Sequence, residues 1–213
     1  FMSRCMSFMK KDSDKPHEQM VAICMSQWRT SKKKSIFSNV KGFEHKELHD
    51  GNLIIGGYIA TTHLDYGFFE PERGIWVRDA ISKDTLSKWS DEINEGNPRA
   101  NKVSVNHERI PHVAGVGIKG TARVDILPDG NHALYVKTLI DKTRKDFNDI
   151  SYRIDNGLLD SYSIEFITRD PLTSDYLSDS IIEKQSGDGI IRTLLPGTQL
   201  QGWTLASQPM NEH

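Results

Sequence analysis

Two short segments hold the side chains best suited to moving a proton. Val103-Ser104-Val105-Asn106-His107 ends on an imidazole, and Leu158-Leu159-Asp160-Ser161-Tyr162-Ser163-Ile164-Glu165-Phe166 carries two serines and a glutamate at alternate positions. A serine hydroxyl is a poor nucleophile at neutral pH because it holds its proton tightly, so it needs a neutral imidazole within hydrogen-bond reach. Eight histidines and many serines occur in the chain, so residue type alone does not select a pair, and a histidine at a strand end is more often a surface or structural residue. Metal chemistry is a weaker reading. His107, Glu108 and His112 do not form His-Glu-x-x-His, Pro111 argues against a helix there, and no cysteine assists. The run Gly115-Val116-Gly117-Ile118-Lys119-Gly120 has phosphate-loop spacing but precedes a strand-like segment, so it shapes a strand turn instead. A Gly-x-Ser-x-Gly elbow, which would favour an esterase-like hydrolase of small molecules, is missing.

The elements that must position these groups are legible as changes of period. From about Asn52 the chain breaks into short apolar runs separated by glycine, aspartate and proline, as in a mixed domain with several strands. Leu53 to Ala60 and Gly74 to Val77 are strand candidates. Ser82 resembles an N-cap before a helix over Lys83 to Glu95, with Leu86, Trp89 and Ile93 on its buried face and Gly96 as its stop. Val103 to Val105 reads as a strand that delivers His107 at its end, and Gly115 to Ile126 as a further strand turning at Pro128-Asp129-Gly130. After a strand from Ala133 to Ile140, Phe147, Ile150 and Ile154 predict a helix over Thr143 to Asn156, capped by Gly157. Leu158 to Ile167 then reads as a strand with Leu159, Ser161, Ser163 and Glu165 on one face. Thr173 to Gly189, rich in serine and aspartate, reads as a mobile excursion before a last strand over Gln201 to Ala206.

Bulk properties set the outer limits. The 213 residues suit one domain with an appendage, and 37% hydrophobic with 26% charged residues can bury a core. A net charge of -2 lacks the basic excess that nucleic-acid binding favours. Cys5 and Cys24 are too few for a disulfide framework or thiolate zinc site, which fits a reducing, cytoplasmic setting. No apolar run approaches the roughly 20 residues that cross a bilayer, and the first residues lack a signal-peptide layout, so the chain reads as soluble with no membrane partner. Residues 1–35 read as a helical appendage, with Met20, Ile23, Cys24 and Trp28 near one face, followed by a basic linker at Thr30 to Ser35. A nucleic-acid patch is the alternative for that linker. Residues 36–213 form the main domain, and the start at Phe1 and stop at His213 suggest a fragment of a longer reading frame.

The order of these segments resembles the phage prohead proteases. That family has a strand ending in Asn-His, a glycine several residues later, and a helix-Gly-Leu segment leading into a strand with Ser-Ile-Gly-Phe. Here the corresponding parts are Asn106-His107, Gly115-Val116-Gly117, Gly157-Leu158, and Ser163-Ile164-Glu165-Phe166. Leu200-Gln201-Gly202-Trp203-Thr204-Leu205-Ala206 with Pro209 and Asn211 looks like the family's closing strand and Pro-x-Asn turn, so the likeness runs from about Leu53 to the end. It implies an α+β fold related to the herpesvirus capsid protease, a barrel-like, mainly antiparallel sheet with flanking helices. It also implies His107 as the base and Ser163 as the nucleophile of a serine endopeptidase, with no cofactor and no metal.

Two positions depart from the family pattern. Glu165 stands where the family has glycine, and Gly202 stands where many members carry the glutamate that orients the histidine. The third catalytic group is then unassigned. Glu165 is the first substitute because it shares the face of Ser163, although it also reads as a solvated edge residue; His112, Glu108, Asp160 and Asp170 are further candidates. Ser161 is the reserve nucleophile. Backbone N–H groups would supply the oxyanion hole. The implied substrates are phage scaffold and major capsid proteins inside a procapsid in the host cytoplasm. Self-cleavage would fall in the basic linker near Lys33 or in Thr173 to Gly189, and a homo-oligomer is compatible with the same reading. The rival class is a non-catalytic scaffold or capsid-assembly module of the same shape.

Overall fold

A computed structural model describes residues 43–206 apart from 66, 72, 106–112 and 188. The expected appendage, the basic linker and both cysteines lie outside the described residues, as do His107, Glu108 and His112. Strands β1 (His45–His49), β2 (Asn52–Thr61), β6 (Val116–Gly117), β7 (Arg123–Ile126) and β8 (His132–Ile140) form the first sheet, in the order β1-β2-β8-β6 with β7 also on β8. A second sheet orders β10 (Ile181–Ser186), β11 (Gly189–Leu194), β4 (Ile75–Ile81) and β3 (Phe68–Glu70). The third orders β5 (Val103–Val105), β12 (Gln199–Ala206) and β9 (Ser161–Ile167). All pairings are antiparallel except β11 with β4 and β12 with β5. With helices α1 (Lys83–Glu95) and α2 (Phe147–Asp155), the architecture is mixed α+β and mostly antiparallel. Among the described residues the three sheets do not close into a barrel, and no helix is long and apolar enough to cross a membrane.

The core is built on β2 and β8, which are buried along most of their length through Leu53, Ile55, Ile59, Leu134, Val136 and Ile140. Helix α1 closes it with Leu86, Trp89 and Ile93, each fully buried. Its ends follow the sequence. Ser82 Oγ accepts from Thr85 N at 3.2 Å, and Gly96 turns left-handed at φ 75° so that its own N–H and that of Asn97 return to Ile93 and Glu92. Those bonds satisfy backbone groups the helix itself leaves open. The helix docks through Trp89 Nε1 to the Thr198 carbonyl (3.2 Å) and Thr85 Oγ1 to the Leu194 carbonyl (2.9 Å), which brace the turn into β12.

Four expectations shift. The second helix begins at Phe147 instead of Thr143, because Asp141 Oδ1 accepts both the backbone N–H and the hydroxyl of Thr143 and holds the preceding stretch as a turn. Its end is as expected, with Gly157 left-handed at φ 67°. The strand that follows begins at Ser161 instead of Leu158, since Leu158 and Leu159 both donate to the Arg153 carbonyl at the helix end. The single strand expected over Gly115 to Ile126 is two, β6 and β7, divided at Gly120 (φ 74°), where the Asn94 side chain bonds both backbone groups of Ala122 in place of a strand partner. The supposed excursion of Thr173 to Gly189 contains β10, half of a hairpin with β11, and Ser180 within it is buried with its hydroxyl on the Thr168 carbonyl.

Candidate functional site

The third sheet gathers the serines. Tyr162, Ile164, Trp203, Leu205 and Val103 occupy its core side, and Ser161, Ser163, Glu165, Thr204 and Ser104 alternate onto the other. Its core side is anchored to the first sheet at Thr138, whose Oγ1 accepts from Trp203 Nε1 and the Tyr162 hydroxyl at 3.0 and 3.1 Å, with the Ile55 carbonyl 3.3 Å from the same Tyr162 hydroxyl. Burial holds the Tyr162 phenol far above its ordinary pKa, so it stays a neutral donor. Phe43 packs edge-on against the same ring, 4.9 Å between centroids. The polar side therefore rests on a fixed platform.

Register then sets the polar row. Ser163 pairs with Thr204 across β9 and β12, and Thr204 pairs with Ser104 across β12 and β5, so Ser163, Thr204 and Ser104 form a line over three strands. Ser163 is partly exposed, and its hydroxyl has no hydrogen-bond partner among the described residues. Ser161, the reserve nucleophile, differs: it is nearly buried and its hydroxyl donates to the Ala206 carbonyl at 3.0 Å.

Glu165, one step further along β9 on the same face, pairs with Gly202. A bulge between Leu200 and Gly202 sets the extra residue Gln201 beside this pair. Gly202 has φ 127°, and a Cβ there would run into the Lys102 carbonyl, the same oxygen that accepts Trp203 N at 3.0 Å. No side chain fits that position without moving β5. Over this bare spot the Glu165 side chain leans to the far strand, where Ser104 Oγ donates to its Oε1 at 3.1 Å. Among the other carboxylates weighed, Asp170 is engaged in a turn beyond β9, accepting from Leu172 N (2.7 Å) and Thr173 N (3.3 Å). Asp160 precedes β9, and its backbone N–H donates to the Ala206 carbonyl.

The structure thus brings Ser163 and Glu165 onto one face, and it joins to them Ser104, which the residue pattern does not single out as functional. Strand β5 ends at Val105, two residues short of His107. The one signal for Ser104 is its alternation with Val103 and Val105, which marks it as facing away from the core. Also unanticipated is a polar cluster in the second sheet, where Asp79, nearly buried, receives Arg192 through two bonds at 2.8 and 2.9 Å. Asp65 Oδ1 beside it accepts from Asp79 N and Gly67 N, while burial pushes its carboxyl up to about 6. No protein-family model, curated protein or solved structure matches the chain.

Proposed function

We propose that the chain is a serine endopeptidase of the prohead-protease kind, with a fold related to the herpesvirus capsid protease, acting on scaffold and capsid proteins within a phage procapsid. Ser163 attacks the scissile carbonyl, His107 takes the serine proton and returns it to the leaving amine, and Glu165 orients the imidazole. The observation that carries this reading is the register of the third sheet. Ser163 and Glu165 project from β9 on one face, and the strand two places away is the one whose next residues are Asn106-His107. Strands two places apart are separated by about 10 Å. In that register Ser104 lies opposite Ser163, so the chain beyond Val105 has to turn back toward β9 for the imidazole to meet the hydroxyl at a hydrogen-bond distance of about 2.8 Å.

The two departures from the family pattern support the same assignment when taken together. Positions 165 and 202 are direct cross-strand partners, so glutamate at 165 and glycine at 202 is the family's glycine and glutamate exchanged between neighbouring strands. Here β9 alone can contribute that carboxylate, since no side chain fits at Gly202. Ser163 is preferred over Ser161 because the Ser161 hydroxyl is already donated to a main-chain carbonyl. Gly202 favours a second reading, a capsid-assembly module that has lost its catalytic carboxylate, since the backbone there excludes any side chain.

A serine-directed fluorophosphonate separates the two. The chain should form one covalent adduct, mapped by peptide mass spectrometry to Ser163, and Ser163→Ala and His107→Ala should each abolish it. Cleavage of co-purified capsid protein should disappear in the same variants. An unlabelled wild-type chain, with identical fragment patterns in all three proteins, leaves the assembly role.

A further inference from the structure

We infer that Ser104 is a positioning residue whose hydroxyl holds the Glu165 carboxylate across β12, toward the strand whose sequence continues to His107. The inference rests on the reading of Ser163 as nucleophile and Glu165 as the partner of the base. A side chain leaving a strand stands roughly perpendicular to the sheet, so Glu165 left to itself would project outward from β9. Instead its Oε1 lies 3.1 Å from Ser104 Oγ, on the outer strand beyond β12. Three features make that reach feasible. The glutamate side chain is long, the position it crosses is a glycine, and the φ of 127° at Gly202 with the Lys102 carbonyl behind it keeps that position clear. Aspartate would fall short by one C–C bond, about 1.5 Å.

The direction of the bond gives the contact its function. Ser104 donates to Oε1, so this contact holds the carboxylate through a neutral hydroxyl and leaves its negative charge in place. Thr204, between Ser104 and Ser163 in the row, is fully buried, so the carboxylate is drawn over a closed surface and not into a gap. A long, rotamer-rich glutamate thereby acquires one orientation before substrate arrives, as electrostatic assistance to an imidazolium requires.

The test compares fluorophosphonate inactivation rates of the full chain with those of Ser104→Ala, Ser104→Thr, Glu165→Gln, Glu165→Asp and the double variant Ser104→Ala/Glu165→Gln. Ser104→Ala should slow labelling of Ser163 roughly 10- to 100-fold, the rate equivalent of one hydrogen bond to a charged group. Ser104→Thr, which keeps a hydroxyl, should restore most of the rate, and Glu165→Asp should behave like the loss of the bond. In the double variant the two losses should not multiply, because both remove one interaction. Multiplying losses, or a Ser104→Ala chain labelled at the wild-type rate, overturn the role of Ser104 while leaving Ser163 as nucleophile. Failure of the wild-type chain to label at Ser163 overturns the underlying reading and the inference with it. Should Ser104→Ala not fold, Ser104→Thr with Glu165→Asp still decides, since retention of rate in the second variant contradicts the proposed reach.

Discussion

The second and third sheets each set polar side chains against a common core, and they satisfy them in opposite ways. In the second sheet opposite charges face one another. Asp79 and Arg192 are direct partners in the parallel ladder of β4 and β11, and the guanidinium fork meets both carboxylate oxygens. Arg73 does the same with Glu183 at 2.9 Å on each arm, and Glu70 gives it a second carboxylate at 3.2 Å. Such pairs fix geometry by saturating their partners. The row in the third sheet is made of hydroxyls, Ser104, Thr204 and Ser163, and Ser163 has no partner among the described residues. Closed ion pairs suit a scaffold, and an uncommitted hydroxyl on a braced sheet suits proton transfer.

The sharpest way to break this contrast is to open an ion pair. Asp79→Ala leaves Arg192 buried without its carboxylate and should cost about 3–5 kcal/mol, read as a lower urea midpoint. Asp79→Leu with Arg192→Met should recover most of the loss, because the price of the single variant lies in the stranded charge. Equal losses for the single and double variants would mean that packing, not charge, holds this sheet.

A smaller effect of the opposite sign is expected at Asp65. Burial and the neighbouring Asp79 charge raise its carboxyl to about 6, against the pull of the N–H donors of Asp79 and Gly67. Between its unfolded value near 3.9 and that folded value, the native chain holds a proton that the unfolded chain has released, so stability falls as pH rises through this window. Asp65→Asn keeps an oxygen for both N–H donors and should be more stable than wild type by about 1 kcal/mol at neutral pH, after allowance for solvent screening. The gain should vanish below about pH 4 in urea titrations at several pH values. The smallest effects distinguish the two serines of β9. Ser161→Ala loses its bond to Ala206 and should cost about 1 kcal/mol, whereas Ser163→Ala should change stability by less than about 0.5 kcal/mol. A larger cost at Ser163 would show its hydroxyl to be structural.

Legibility in the sequence tracks how local the determinants are. Ser82, Gly96 and the spacing of Leu86, Trp89 and Ile93 encode α1 within one segment, and the observed helix has those bounds. The strand Val103–Val105 is likewise legible, and β8 and β12 extend the predicted runs by a residue or two at their starts. The β10 and β11 hairpin is not, because much of β10 is exposed and β11 gains its second partner from β4, 113 residues earlier. The charged segment His45–His49 conceals a strand for a similar reason, as its pairing with β2 is main-chain while most of its side chains are exposed. At the site, the shared face of Ser163 and Glu165 follows from a two-residue period. The bond from Ser104 to Glu165 spans 61 positions and depends on β12 lying between them, which no local pattern encodes.

The place of β12 also governs timing. Among the described residues it is the only strand shared by β5 and β9, yet it lies at their far end in sequence. During synthesis β5 and β9 leave the ribosome with no common neighbour, and the hydroxyl row comes into existence only once Gln199 to Ala206 have emerged and threaded between them. A chain stalled before that point carries Ser104 and Ser163 but neither Thr204 nor the geometry of the row.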